Sequence, residues 1–201
     1  MKKIVYILIF LISPISLQAQ DYKIILFGDS LMAGYGLDSA DHLNIYLEEN
    51  LKFLNIQSII TNASVSGDTT SGGLNRLNWS LQDDFDLFIL GLGANDMLRG
   101  IAPDVTKSNL SKIIKKVLDK DIKILLTGMR APNSYGADFQ QSFNNIYPNL
   151  AKEFQISLYP FLLEGVALIP ELNQSDAKHP NKEGIQIISK NLAKKINDII
   201  D

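Results

Sequence analysis

Four short polar blocks recur along this 201-residue chain, in an order that can supply a nucleophile, an oxyanion site and a base. The first is Gly28-Asp29-Ser30-Leu31, directly after the apolar run Ile24-Ile25-Leu26-Phe27. A serine hydroxyl is a poor nucleophile until a base takes its proton. At the start of a helix, Ser30 would also have backbone N–H groups and a positive dipole aimed at developing negative charge. A turn or N-cap serine is the plainer alternative, because Gly-Asp-Ser is ordinary turn chemistry.

The search for a base is short, since the chain has only 2 histidines. His42 follows Asp38-Ser39-Ala40-Asp41 at the start of a helical pattern, has no evident orienting acid, and reads as a surface residue. His179 lies in Asp176-Ala177-Lys178-His179-Pro180, a polar stretch before the last helical pattern. In a tight turn that spacing lets the Asp176 carboxylate reach the His179 Nδ1–H, leaving Nε2 free to take a proton from serine. Asp176 and His179 capping the next helix is the competing reading.

Oxyanion donors come from the two middle blocks. Gly67, in Ser66-Gly67-Asp68-Thr69, has no side chain to keep its N–H from a substrate oxygen. Asn95, in Gly93-Ala94-Asn95-Asp96, offers an uncharged amide donor. With the Ser30 N–H these make a set of candidates, each worth roughly 10²–10³ in rate where such donors have been removed. A turn glycine and an ordinary loop or helix cap are the plain alternatives.

The elements that must position these blocks are legible as alternating patterns. Strand-like runs cover Lys23 to Phe27, Gln57 to Thr61, Asp86 to Gly91, Ile122 to Thr127 and Ile156 to Leu158. Helical spacing covers Asp41 to Leu54, Asp104 to Lys120, Asp138 to Phe154 and Asn181 to Ile200, with Pro180 suited to the last helix's first turn. The last segment puts Ile185, Ile188, Leu192, Ile196 and Ile199 on one stripe. Lysines 107, 112, 115, 116 and 120 read as a solvated face. Apolar strands alternating with helices imply a parallel sheet covered on both faces, an α/β/α sandwich. The first three blocks then end strands and the fourth precedes the final helix, so all four can meet at the sheet's carboxyl edge.

Residues 1–20 are expected to be a secretory signal peptide: basic Lys2-Lys3, an apolar Ile4 to Ile12, and small residues before a cut near Ala19 or Gln20. The apolar run is well short of the ~20 residues a membrane-spanning helix needs. Residues 21–201 fit one domain, and no membrane span is expected after cleavage. With Cys 0, thiol nucleophiles and thiolate metal sites are excluded, and an exported fold holds without disulfides. A net charge of −3 with scattered Lys and Arg gives no nucleic-acid surface.

Taken together, Gly28-Asp29-Ser30-Leu31, Gly67, Gly93-x-Asn95-Asp96 and Asp176-x-x-His179 resemble the four blocks of the SGNH (GDSL) hydrolases. The chain looks most like the bacterial thioesterase I / lysophospholipase / arylesterase group. Asn62 to Thr69, Asn95 to Gly100 and Ile146 to Phe154 support that likeness, which covers essentially all of residues 21–201. It implies a flavodoxin-like three-layer sandwich with a five-stranded parallel sheet. It implies Ser30 as nucleophile, His179 as base, Asp176 as its orienter, and Ser30, Gly67 and Asn95 as oxyanion donors. The implied reaction is acyl transfer through an acyl-serine without metal or cofactor, on aryl or alkyl esters, lysophospholipids or fatty acyl thioesters. A monomer in the periplasm or secreted medium is expected. Ala94 stands where relatives often carry glycine, and Ala131, in Met129-Arg130-Ala131-Pro132, where they often carry a larger aliphatic residue. Met97 to Ile101 is expected to be a mobile loop, apolar enough to cover an acyl chain or else held in the core. Met97, Leu98, Ala131 and Pro132 are the expected substrate contacts.

Other readings compete. A carbohydrate acetyl-esterase would use the same blocks but wants an aromatic, polar cleft, and the single Trp79 lies in a helical pattern. A non-catalytic acyl- or lipid-binding protein would need no nucleophile–base pair. A nucleotide-binding domain would need a glycine-rich cradle opening the first helix, and Gly91-Leu92-Gly93-Ala94-Asn95 lacks its third glycine. No His-x-x-x-His or carboxylate cluster has metal-ligand spacing.

Overall fold

The computed structural model describes residues 21–200. The expected leader therefore lies outside the described residues. Five parallel strands form one sheet in the order β2-β1-β3-β4-β5. They are β1 (Tyr22–Gly28), β2 (Ser58–Asn62), β3 (Leu87–Gly91), β4 (Lys123–Thr127) and β5 (Ser157–Tyr159). Each strand-like run of the sequence becomes one of them, shifted by no more than a residue or two at either end. β3 is buried throughout, and β1 is buried from Ile24 onward. That is why both read as unbroken apolar runs rather than as alternation.

The helices are α1 (Ser30–Ala33), α2 (Leu43–Phe53), α3 (Thr70–Ser80), α4 (Ala94–Leu98), α5 (Pro103–Leu118), α6 (Ala137–Asn144), α7 (Ile146–Phe154) and α8 (Lys182–Ile200). α2 packs on α8, and α3 packs on α5 with α7 beyond it. The result is the expected three-layer sandwich. The α8 stripe is buried at Ile185, Ile188, Leu192 and Ile196, with Ile199 partly buried. Among the described residues no helix is long and apolar enough to cross a membrane.

Two helix expectations need correction. The single helix over Asp138 to Phe154 is instead α6 and α7, separated at Asn145. Pro148 explains the break: it has no N–H for the Asn144 carbonyl, and its ring crowds that oxygen. Pro180 does not open α8. It is buried and pairs antiparallel with Asn173, while Asn181 caps the helix by accepting Gly184 N–H at 3.0 Å.

Candidate active site

The three chemical groups meet at the carboxyl edge of the sheet. The Ser30 Oγ lies 2.8 Å from His179 Nε2, and His179 Nδ1 lies 2.6 Å from Asp176 Oδ2. The other carboxylate oxygen, Oδ1, accepts the Lys178 and His179 backbone N–H groups at 2.9 and 3.0 Å. The His179 hydrogen bond, with these two backbone donors behind it, holds the Asp176 carboxyl well below the usual carboxylate range. The acid therefore stays ionised and the imidazole is held in one orientation. Ala177, in the left-handed region at φ 56, bends the loop so that Asp176 and His179 face each other.

Ser30 sits at the start of α1, but that helix has only four residues, so its dipole is small. The local device is Asp29, 1% exposed, whose Oδ1 accepts Leu31 N–H at 3.1 Å as the N-cap. Its Oδ2 is buried without a hydrogen bond. Burial pushes the Asp29 carboxyl up to about 7, against the lowering pull of the Leu31 N–H and the neighbouring Asn95 amide. Gly28 allows strands to crowd here: a Cβ would stand 2.8 Å from the Gly91 carbonyl oxygen.

The two middle blocks flank this serine. β2 continues its pairing past Asn62, with Ala63 N–H donating to Leu26 O and Val65 N–H to Gly28 O. That carries the chain up to Gly67, which turns at φ 81. Asn95 lies in the first turn of α4, after Gly93 at φ 118, where a Cβ would strike the Tyr147 hydroxyl at 2.2 Å. Ala94 occupies a helical position, so its methyl needs no unusual backbone. Asp96, 0% exposed, is a structural staple between the blocks. Its oxygens accept Thr70 N–H at 2.8 Å, Thr70 Oγ at 2.5 Å and Thr106 Oγ at 3.3 Å.

Several supports were not evident in the sequence. Arg76 of α3 pairs with Asp68 at 2.6 Å, donates to Ala63 O and to Gly28 O, and lies 3.9 Å over the Phe27 ring. One guanidinium thereby joins the first two blocks. Gln174 Nε2 donates to Tyr35 O at 2.7 Å and to Pro180 O at 3.0 Å, tying the histidine loop to the segment after α1. The Tyr35 ring lies 4.5 Å from the His179 ring. Arg99 donates to Gly67 O at 2.7 Å. The sequence reading put Trp79 in a helix, but did not single out Arg76 or the carbonyls it meets. His42 is half-buried rather than purely superficial: a Cβ on Gly34 would fall 2.3 Å from its ring.

The serine, glycine, asparagine and histidine line one open cavity of about 770 Å³. Met97, Leu98, Ala131 and Pro132 line it too, as the sequence suggested, with Met129, Phe161, Leu163 and Ala167 beyond them. Met97 is buried and Leu98 half-exposed, both at the end of α4 rather than in a loop. Ala131 is fixed from both sides: its N–H donates to Asn144 Oδ1 at 2.8 Å, and its carbonyl accepts from Gln140 at 3.0 Å. Trp79 is exposed on α3 and does not line the cavity.

Comparison with known proteins agrees. The model of the GDSL-like Lipase/Acylhydrolase family matches residues 26–187. An arylesterase of Vibrio mimicus is 38% identical over 191 residues, covering 94% of each chain. Thioesterase 1/protease 1/lysophospholipase L1 of Escherichia coli K12 is 35% identical over 179 residues, covering 89% of this chain and 85% of that one. The crystal structure of AlinE4, an SGNH-hydrolase family esterase, superposes with a TM-score of 0.76 at 41% identity, covering 90% of this chain and 98% of that one. On these matches and this architecture, the chain belongs to the GDSL-like lipase/acylhydrolase family of hydrolytic enzymes.

Proposed function

We propose that the protein is a serine esterase that hydrolyses acyl esters through an acyl-serine intermediate. One observation carries the reading: the continuous line from Ser30 Oγ through His179 to Asp176, 2.8 and 2.6 Å long, opens into a cavity lined mostly by apolar side chains. His179 Nε2 takes the Ser30 proton as Oγ attacks the ester carbonyl. The oxyanion receives the Ser30 N–H, the Gly67 N–H and the Asn95 amide. His179 then gives its proton to the leaving alcohol, and a water activated by the same imidazole releases the acid. Asp176 stays ionised throughout, orienting the ring and stabilising the imidazolium.

The acyl chain lies along Met97, Leu98, Ala131 and Pro132. The small Ala131 leaves room where a larger aliphatic side chain would narrow the groove. Aryl and alkyl esters and lysophospholipids are the proposed substrates. Thioesters are chemically competent, but coenzyme A and acyl-carrier thioesters are normally inside the cell, and residues 1–20 read as an export leader. The protein is accordingly proposed to act as a monomer in the periplasm or outside the cell.

The test is turnover of p-nitrophenyl esters from acetate to palmitate by the chain from Asp21 onward. Rates that rise beyond acetate support the acyl-groove reading. Activity confined to acetate favours a carbohydrate acetyl-esterase, although the exposed Trp79 stands away from the cavity. A folded protein inert toward every ester moves the function to acyl binding.

A further inference from the structure

The mouth of the cavity exposes apolar surface that nothing in the fold requires. Leu168 is 95% exposed and also adopts the left-handed backbone region, at φ 65. A non-glycine residue pays steric strain there, and a leucine held in water gains nothing from burial. Tyr35 and Leu98, 52% and 50% exposed, line the same mouth, and Ile169, 39% exposed, follows Leu168. Scattered single apolar residues need no explanation, but a group around one opening does.

The charged side chains that line the cavity have one sign. Arg130 and Lys178 are the lysine and arginine side chains that line the cavity, and no carboxylate lines it, although the whole chain is at −3. Arg99 adds a further cation next to the cavity wall, donating to the O of Gly67, which lines it. Of the nearby acids, Asp176 is engaged by His179 and Glu164 meets Arg130 at a loose 3.8 Å, while Glu171 is exposed two residues beyond Ile169.

We propose that this rim is a docking surface for a lipid–water interface carrying anionic headgroups. Leu168, Leu98 and Ile169 enter the acyl layer, and Arg99, Arg130 and Lys178 meet the headgroups. An acyl chain then passes from the interface into the cavity along continuous apolar surface, without crossing water. The inference rests on the acyl-ester reading above and adds the physical state of the substrate to it.

Residues 21–200 carry the whole sheet and core, so the chain from Asp21 is the material to test. Co-sedimentation with phosphatidylglycerol vesicles uses the Ser30→Ala form, which keeps turnover from eroding the vesicles. Binding should weaken on adding salt. Leu168→Asp should weaken it by roughly tenfold or more, the effect of losing one buried leucine contact. Phe53→Asp, at an exposed apolar residue away from the cavity, is the matched control and should bind as the parent does. No sedimentation with these vesicles, or equal loss in both variants, overturns the proposal. Esterase turnover by the unmutated chain is measured separately, so failure to dock is distinguishable from failure of the enzyme reading.

Discussion

Ser30 and His179 approach to 2.8 Å, yet different kinds of structure hold them. The serine end is fixed by contacts distant in sequence and partly buried. Gly28 N–H donates to Ser64 Oγ, and Gly28 O accepts both Val65 N–H and Arg76. The histidine end is an exposed loop that organises itself. Asp176 takes the N–H groups of Lys178 and His179, Gln174 N–H donates to His179 O, and Ala177 N–H donates to Gln174 O. Gln174, through Tyr35 O, carries this loop across to the serine segment, beside the His179–Ser30 contact itself and the Tyr35 ring against His179. Ser30 is therefore held by the sheet, and His179 chiefly by its own turn and the Gln174 strap.

That difference can be broken from either side. The largest effect belongs to the loop's acid. Asp176→Ala should lower kcat by roughly 10²–10⁴-fold with the fold intact, because the imidazole loses both its orientation and its counter-charge. Steady-state kinetics beside a circular-dichroism melt checks it.

At the serine end the matching change is Arg76→Ala. It strands the Asp68 carboxylate and frees Gly28 O and Ala63 O at once. Here stability should fall with activity, by about 3 kcal/mol in urea unfolding. A full loss of activity with no loss of stability would mean that the guanidinium is not part of the scaffold.

Asp29 sharpens the comparison through pH. Its folded-state pKa is raised to about 7, so between about pH 4 and pH 7 the native state keeps a proton that the unfolded chain has released. Stability from this group therefore falls as pH rises through that window and stays low above it. Asp29→Asn keeps the cap acceptor for Leu31 and removes the titration. Its urea stability should lose less than the parent's between pH 4 and pH 8, by up to about 4 kcal/mol. Parallel losses would show that Asp29 is not the group titrating.

The smallest effect is the glutamine strap. Gln174→Ala frees two carbonyls that water can reach, so stability should drop by no more than about 1 kcal/mol. The kcat should fall about tenfold with KM nearly unchanged, because the base swings while the cavity stays. A change in KM alone would place Gln174 in substrate binding instead.

The same contrast explains what the sequence made legible. Asp176-x-x-His179 was readable because a contact three residues apart needs only a turn to close. The central strands β1, β3 and β4 were readable because burial on both faces leaves continuous apolar runs. The supports of the serine end were not, since Arg76 meets Gly28 O only once β1 and α3 are packed together. The break between α6 and α7 was missed because the apolar spacing continues through Asn145, while Pro148 removes the hydrogen bond that would join the halves. Leu168 carried no signal, because the sequence does not show that a leucine will be left in water.

The central claim is that Ser30 is the nucleophile and His179 its base. A p-nitrophenyl phosphonate ester, followed by intact mass and peptide mapping, tests it directly. One covalent adduct is expected, on Ser30, formed at a rate that collapses in His179→Ala and absent in Ser30→Ala, which has also lost turnover. An adduct on another residue, or turnover retained by folded Ser30→Ala, would contradict it.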